Sequence, residues 1–98
     1  MVNPLALAAA LQAARLSRTQ TRMLVLTELA RTGPAPRTAR DIHAALRQGR
    51  PSLPFSTTYR VLQCFTHKGL VVTEAADAGG PAFRLSADLI QTACRPDP

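Results

Sequence analysis

The sequence has little of what enzymes and membrane proteins usually require. Only six acidic residues occur among its 98 residues, and they are scattered along the chain. No Ser or Cys nucleophile has a plausible base near it in sequence, and no glycine-rich phosphate loop is present. No apolar stretch is long enough to cross a membrane. We therefore expect neither an enzyme nor a membrane protein.

Metal-binding residues are equally scarce. Cys64 and Cys94 do not form a C-x-x-C pair, and His43 and His67 fall in different predicted helices. A zinc site needs three or four converging ligands, so we expect no metal and no other cofactor. The spacing does not indicate a disulfide framework, and Cys64 fits a free thiol within a helix. A reducing cytoplasm suits this usage of cysteine.

Positive charge, in contrast, is abundant. Lys and Arg total 12 against the six acids, which gives a net charge of +6, and Lys68 is the single lysine. Arginine is suited to phosphate and guanine, so the excess favours a nucleic-acid partner. The alternative is a basic genome composition without any polyanionic partner. Hydrophobic residues make up 46% of the chain, enough for one domain with its own core.

The N-terminal residues 1–15 predict a helix. Asn3 can cap it, Pro4 suits its first position, and the helical period continues to about Ala14. The apolar run at 5–11 could also pass for the core of a signal peptide. No positive residue precedes that run, however, so we favour a structural helix.

Three further helices follow, each with a candidate capping residue. Thr19 precedes a helix over 20–31, Thr38 precedes one over 39–48, and Ser56 caps the start of one over 56–68. Their spacing predicts these core residues: Met23, Leu24, Leu26 and Ala30 in the second helix, Ile42, Ala45 and Leu46 in the third, Leu62 and Phe65 in the fourth.

A β-hairpin is predicted directly after the fourth helix. Gly69 ends that helix, residues 70–73 and 82–85 have strand composition, and Asp77–Gly80 form a turn. The remaining segment, 86–98, could be a strand stub, a helix or a tail. The predicted fold is therefore mainly α (α+β): a winged helix-turn-helix over 1–85 with an extra N-terminal helix and a two-stranded wing over 70–85.

The fourth helix has a polar face that suits duplex DNA. Arg60 can bind guanine or clamp a phosphate, Tyr59 can contact a thymine methyl or a phosphate, and Gln63 can reach adenine. Ser56 and Thr57 lie at the helix N-terminus, where phosphate is favoured. The alternatives are a solvated Arg60, a core-closing Tyr59 and a plain N-cap at Ser56.

Arginines outside the fourth helix can support such binding. Arg18 and Arg22, at the start of the second helix, could hold the DNA backbone or reach the minor groove. Arg84 in the wing could contact a phosphate. Arg37 and Arg40 could flank the groove. For each, the alternative is an ordinary surface charge.

The segment from Thr19 to Leu85 resembles the DNA-binding domain of the ferric uptake regulator family of bacterial metal-dependent repressors. Three motifs carry the resemblance: Thr19-Gln20-Thr21-Arg22 through Leu29, Thr38-Ala39-Arg40-Asp41-Ile42 through Leu46, and Ser56-Thr57-Thr58-Tyr59-Arg60-Val61-Leu62 followed by Gly69-Leu70-Val71. The resemblance implies sequence-specific DNA binding in transcriptional regulation, with a link to iron or metal homeostasis.

The same resemblance implies a second domain that dimerises and holds the sensing metal, but this sequence departs from that pattern. Asp88 and Gln91 stand where a histidine and a cysteine belong, and Pro36 stands where a histidine precedes the third helix. We therefore expect the DNA-binding domain without the family's metal-sensing domain. A single module contacts few base pairs, so we expect a homodimer or a partner protein that contributes through the first helix or Leu89-Ile90. The competing function is a winged-helix protein-interaction module that modulates another regulator.

Overall fold

The computed structural model describes residues 2–75 and 80–93, and these contain five helices and three short strands. The order is α1 (Pro4–Ala13), α2 (Gln20–Arg31), β1 (Arg37–Thr38), α3 (Ala39–Arg47), α4 (Phe55–His67), β2 (Val71–Glu74), β3 (Ala82–Leu85) and α5 (Ala87–Ala93). Two helices, α3 and α4, precede a hairpin, as a winged helix-turn-helix requires. The predicted fold class is confirmed.

Side-chain caps begin the first three helices where the sequence predicts them. Asn3 Oδ1 accepts from the Leu5 amide at 3.0 Å, and Thr19 Oγ1 accepts from the Arg22 amide at 3.2 Å. Thr38 Oγ1 accepts from the Asp41 amide, also at 3.2 Å. Each bond satisfies a donor that the helix itself leaves free.

The prediction that Ser56 caps the fourth helix is wrong. Pro54 occupies the N-cap position in an extended conformation, and it forms no side-chain cap bond. The helix therefore begins at Phe55, one residue earlier than expected, and Ser56 lies exposed within its first turn. Proline fixes its own φ and lacks a backbone donor, so it can define a helix start without a capping side chain.

The sheet has three strands in the order β1–β3–β2, all antiparallel, so the two-stranded wing was an incomplete prediction. The hairpin of β2 and β3 pairs Val71 with Leu85 and Glu74 with Ala82. The short β1 adds Arg37 opposite Phe83. A two-residue strand gives no alternating pattern to detect in sequence. Residues 77–79 of the predicted turn lie outside the described residues.

The core lies where the helices meet the inner face of the sheet. Leu7 and Leu11 of α1, Ile42 of α3, and Leu62 and Phe65 of α4 are fully buried. In α2, however, the fully buried pair includes Val25 as well as the predicted Leu26, and Leu29 is also buried, while Met23 and Leu24 are only half-buried. The stripe predicted from Met23 is therefore displaced around the helix.

The segment after the wing forms a helix in its described part, one of the three alternatives for it. Leu89 and Ala93 of α5 are buried in the common core, and α5 packs against α1. The Asn3 amide donates to the Ala93 carbonyl at 2.8 Å. The division into a domain over 1–85 and a tail over 86–98 stays a prediction.

Helices α1 and α4 end in the same motif with different residues. In α4, the amides of Gly69 and Leu70 bond back to the carbonyls of Thr66 and Phe65, with Gly69 at φ 80°. In α1, Arg15 occupies the equivalent left-handed position at φ 60°. Glycine adopts this conformation without steric cost, and its role in ending the fourth helix is confirmed.

Candidate nucleic-acid interface

Helix α4 separates a buried face from an exposed polar face. Thr58, Leu62 and Phe65 are buried, and Ser56, Arg60 and Gln63 are exposed, with Thr57 and Tyr59 half-buried. The structure thus places all five candidate DNA-contacting residues of this helix on its accessible side. Arg60 forms no ion pair with any acid in the part of the chain that the structure describes.

Four rings form a continuous row from α3 across α4 to the wing. The His43 and Phe55 rings meet edge to face with centroids 5.5 Å apart, and Phe55 stacks on Tyr59 at 6.1 Å and 19°. Tyr59 meets Phe83 of β3 edge to face at 6.4 Å. Aromatic pairs at such spacings stabilise one another beyond their buried area. Tyr59 is therefore held by the wing as well as by its own helix.

The ring of His43 also fixes the connection between α3 and α4. Its Nε2 lies 2.8 Å from the carbonyl oxygen of Leu53, in the turn before α4, so the ring nitrogen donates there. The His43 side chain is half-buried. Sequence reasoning missed this contact and the role of Phe55, although the repeat of aromatic residues four positions apart was a signal.

A groove of about 340 Å³ separates α4 from the wing. It is lined by Tyr59, Gln63, Thr66, His67, Thr73, Pro81 and Phe83. The hydroxyls of Thr66 and Thr73 lie 3.3 Å apart across it, so helix and strand are also joined by a polar contact. The groove continues the polar surface of α4 on to β2 and β3.

The structure divides the arginines by their partners. Arg37, named as a residue that could flank the groove, is half-buried and directs its guanidinium to Glu28, with Nη1 2.5 Å from Oε2. Arg31 bonds the same carboxylate at 2.6 Å. Among residues 2–75 and 80–93, no ion pair involves Arg15, Arg18, Arg40, Arg47, Arg50 or Arg60.

Glu28 is the acid that these two arginines share, and only 12% of its side chain is exposed. Burial raises the pKa of Glu28, but the hydrogen bonds and charges of Arg31 and Arg37 outweigh burial and lower it below its ordinary value. The carboxylate therefore stays ionised and ties α2 to the start of β1.

The other arginines predicted to support binding lie on α2 and the wing. Arg22 donates through Nη1 to the Ser17 carbonyl at 2.8 Å, and Arg18 is exposed just before α2. Arg84 donates through Nε to Glu74 Oε1 at 2.6 Å, so it already has an acidic partner on the neighbouring strand. The structure joins none of these three directly to the side chains of α4, and their contacts with DNA stay predictions.

One buried polar atom in α4 has no hydrogen-bond partner among the described residues. This atom is Oγ1 of Thr58, a residue with no exposed surface. A buried hydroxyl without a partner costs free energy. The sequence analysis assigned Thr58 no role of its own and did not predict its burial.

Within the described residues, no group of three or more His, Cys, Asp or Glu side chains could hold a metal ion. Cys64 is a free, half-buried thiol. Cys94 lies outside these residues. In the same ranges, no helix is long and apolar enough to cross a membrane.

The pair of helices α3 and α4, followed by the β2–β3 hairpin, defines a winged-helix domain. The sequence of residues 13–94 matches the model of the ferric uptake regulator family, and the chain belongs to that family. Members of this family are transcription regulators that bind DNA and control metal homeostasis, rather than enzymes. The comparison with curated proteins found no match.

Three solved structures illustrate the likeness. The chain is 28% identical to the Vibrio cholerae ferric uptake regulator, with a TM-score of 0.74. The match covers 82% of this chain and 61% of that one. The Pseudomonas aeruginosa regulator, whose structure is described as containing manganese, is 31% identical with a TM-score of 0.74, and the match covers 82% of this chain and 60% of that one. FurB of Mycobacterium tuberculosis, a zinc uptake regulator, is 30% identical with a TM-score of 0.60, over 82% and 59%.

The chain thus spans about 60% of the length of these relatives. The Vibrio cholerae protein is described as having DNA-binding domains that rearrange. The resemblance found in the three sequence motifs is therefore confirmed at the level of the family and its fold.

Proposed function

We propose that this protein binds duplex DNA in a sequence-specific manner and acts in transcriptional regulation. Helix α4 enters the major groove, where Arg60, Tyr59 and Gln63 face the base edges and Ser56 and Thr57 approach a phosphate. One observation carries the proposal: on the helix that precedes the wing, the exposed face includes an arginine with no acidic partner among the described residues.

Backbone contacts complete the proposed complex. Arg18 and Arg22 at the start of α2, and Arg84 in the wing, neutralise phosphates on either side of the groove. Arg22 keeps its bond to the Ser17 carbonyl through one nitrogen and has other donors for a phosphate. Arg84 must share or leave its bond to Glu74 to do the same.

Similarity to the relatives supports a proposed biological setting. The Vibrio cholerae and Pseudomonas aeruginosa proteins are ferric uptake regulators, and FurB is a zinc uptake regulator. By that likeness we assign this chain to the cytoplasm and to the control of iron or other metal homeostasis. A single module reads few base pairs, so the active form is a homodimer or a complex with a partner protein that supplies a second half-site.

The test is a titration with duplex DNA at several salt concentrations. A selected duplex should be bound with a steep negative dependence on salt. Arg60→Ala should weaken binding by about 1–3 kcal/mol, because it removes a contact with a base or phosphate. The matched control is Arg31→Ala, which lowers the net charge equally but lies on α2 beside Glu28.

The outcomes separate cleanly. Failure of the wild-type chain to bind any duplex at low salt would contradict DNA binding itself. Equal losses for Arg60→Ala and Arg31→Ala would show that overall charge, rather than the face of α4, governs the affinity.

A second function, docking to another regulator, has one observation in its favour. Leu5 of α1 is 79% exposed, and the exposed side of this helix is otherwise mostly alanine. Apolar surface of this kind is common at protein interfaces. Co-purification of a partner that Leu5→Asp releases, together with absent DNA binding, would favour this function over the first.

A further inference from the structure

Phe55 has an exposed aromatic ring at the start of α4, the helix proposed to enter the major groove. Among the described residues, only Phe55 and Leu5 are large hydrophobic side chains with substantial exposure, at 41% and 79%. Phe55 is also the first residue of α4, next to exposed Ser56 and one turn before Tyr59. The exposed ring therefore lies at the N-terminal end of α4, beside Tyr59, one of the residues proposed to face the base edges.

The ring is held in place although it is exposed. One neighbour is Tyr59, stacked at 6.1 Å, and the other is His43, edge to face at 5.5 Å. His43 is itself bonded to the Leu53 carbonyl, and Tyr59 rests against Phe83. A ring supported on both sides loses little conformational freedom on binding, which favours its use as a contact.

We propose that Phe55 reads the C5-methyl group of a thymine in the major groove, an inference that rests on the proposed DNA binding. The methyl group is the apolar feature that distinguishes thymine among the base edges of this groove, and phenylalanine is one of the side chains that contact it. Residues at the N-terminal end of a recognition helix are the ones that reach base edges.

The assignment separates two kinds of recognition within α4. Arg60 and Gln63 offer hydrogen bonds to base edges, and Arg60 adds a charge whose contribution falls with salt. Phe55 offers only apolar area, whose contribution depends on the methyl group. Loss of Phe55 should therefore change the preference for one base and leave the salt dependence unaltered.

The experiment replaces thymine by uracil, one position at a time, in a duplex that the wild-type chain has selected from a random pool. Uracil keeps every hydrogen-bonding group of thymine and lacks only the methyl. We expect the wild-type chain to lose about three- to fivefold in affinity at one thymine of each half-site through Phe55. Phe55→Ala should bind the parent duplex more weakly and show no further loss at that thymine.

Two variants complete the design. Arg31→Ala, on α2 beside Glu28, changes a residue with no proposed role in DNA binding and should retain the full pattern of uracil losses. Phe55→Leu keeps apolar bulk without the ring, so it should fold normally and show a reduced loss at the same thymine. It preserves the test if Phe55→Ala is poorly folded by circular dichroism.

Different results would contradict the proposed DNA binding and the role of Phe55. No binding by the wild-type chain at low salt overturns the proposed function. Binding in which Phe55→Ala and Phe55→Leu keep the wild-type uracil losses overturns only the role of Phe55. A changed salt slope in Phe55→Ala also overturns it, because that result assigns the loss to phosphate contacts.

Discussion

The end of α2 and the first turns of α4 both contain arginine and other polar side chains. Those around Glu28 have ionic partners, and those of α4 named below have none among the described residues. Around Glu28, two arginines share one carboxylate, and Arg37 is only 16% exposed. On α4, Arg60 is exposed without an ion pair among the described residues, Thr58 Oγ1 is buried without a partner, and Ser56 caps nothing.

The difference indicates which side chains can form hydrogen bonds or ion pairs with a binding partner. Groups that already have internal partners contribute to folding, and a ligand must break those bonds to use them. Exposed groups without internal partners, such as Arg60, lose less when a ligand replaces water. The basic composition of the chain alone does not make this distinction, since Arg37 and Arg60 count equally in the net charge.

The largest expected effect is on stability at the Glu28 site. Arg37→Ala should lower the free energy of unfolding by about 2 kcal/mol, because it removes a charged hydrogen bond from a mostly buried carboxylate. Arg60→Ala should change it by less than about 0.5 kcal/mol. Urea denaturation measures the stability of both variants, and DNA titration measures their affinity. A larger loss of stability for Arg60→Ala than for Arg37→Ala would contradict the contrast between the two sites.

Acid should weaken the Glu28 site next. The pKa of Glu28 is lowered in the folded chain, so its contribution is present above the unfolded pKa of about 4.3 and is lost as the pH falls through the lower folded value. The stability difference between wild type and Glu28→Gln should therefore shrink below about pH 4. Denaturation curves from pH 7 to pH 3 measure it, and a constant difference would contradict the prediction.

A smaller effect of opposite sign is expected on α4. Thr58→Val should stabilise the chain by about 1 kcal/mol, because it replaces a buried hydroxyl without a partner by a methyl group of similar shape. Thr57→Val, at the half-buried neighbouring position, is the control and should gain less. A lower melting temperature for Thr58→Val would mean that its hydroxyl is satisfied after all.

The smallest expected effect concerns the wing. Its Arg84 has an acidic partner, as Arg37 does, but the pair is partly exposed. The pair of Arg84 with Glu74 is partly exposed and contributes less than about 1 kcal/mol to stability. Glu74→Ala frees Arg84 for phosphate and should tighten DNA binding by about twofold at low salt. Glu74→Ala in an Arg84→Ala background is the control, and the same gain there would exclude Arg84 as its source.

Local signals in the sequence were enough for most of the fold. Asn3, Thr19 and Thr38 each combine a capping side chain with a periodic apolar run, and Gly69 supplies the left-handed residue that ends α4. The return strand at Ala82–Leu85 was also predicted at its observed bounds. All these features depend on neighbours within a few residues.

Most of the errors come from interactions between distant residues, and the start of α4 is a local exception. Strand β1 exists only because β3 pairs with it, and the pairing of Arg37 with Glu28 requires α2 and β1 to be placed first. Thr58 is buried because its side of α4 faces the core. The residue type alone does not indicate this burial. Ser56 had the right chemistry for a cap, but Pro54 determined where the helix begins.

The hydrogen bond from the Asn3 amide to the Ala93 carbonyl has a consequence for local unfolding. It joins the start of α1 to the end of α5, and both helices bury residues in the common core. Detaching either helix therefore breaks contacts of the other, so we expect the two to open as one cooperative unit. Amide hydrogens in α1 and α5 should then exchange at matched rates.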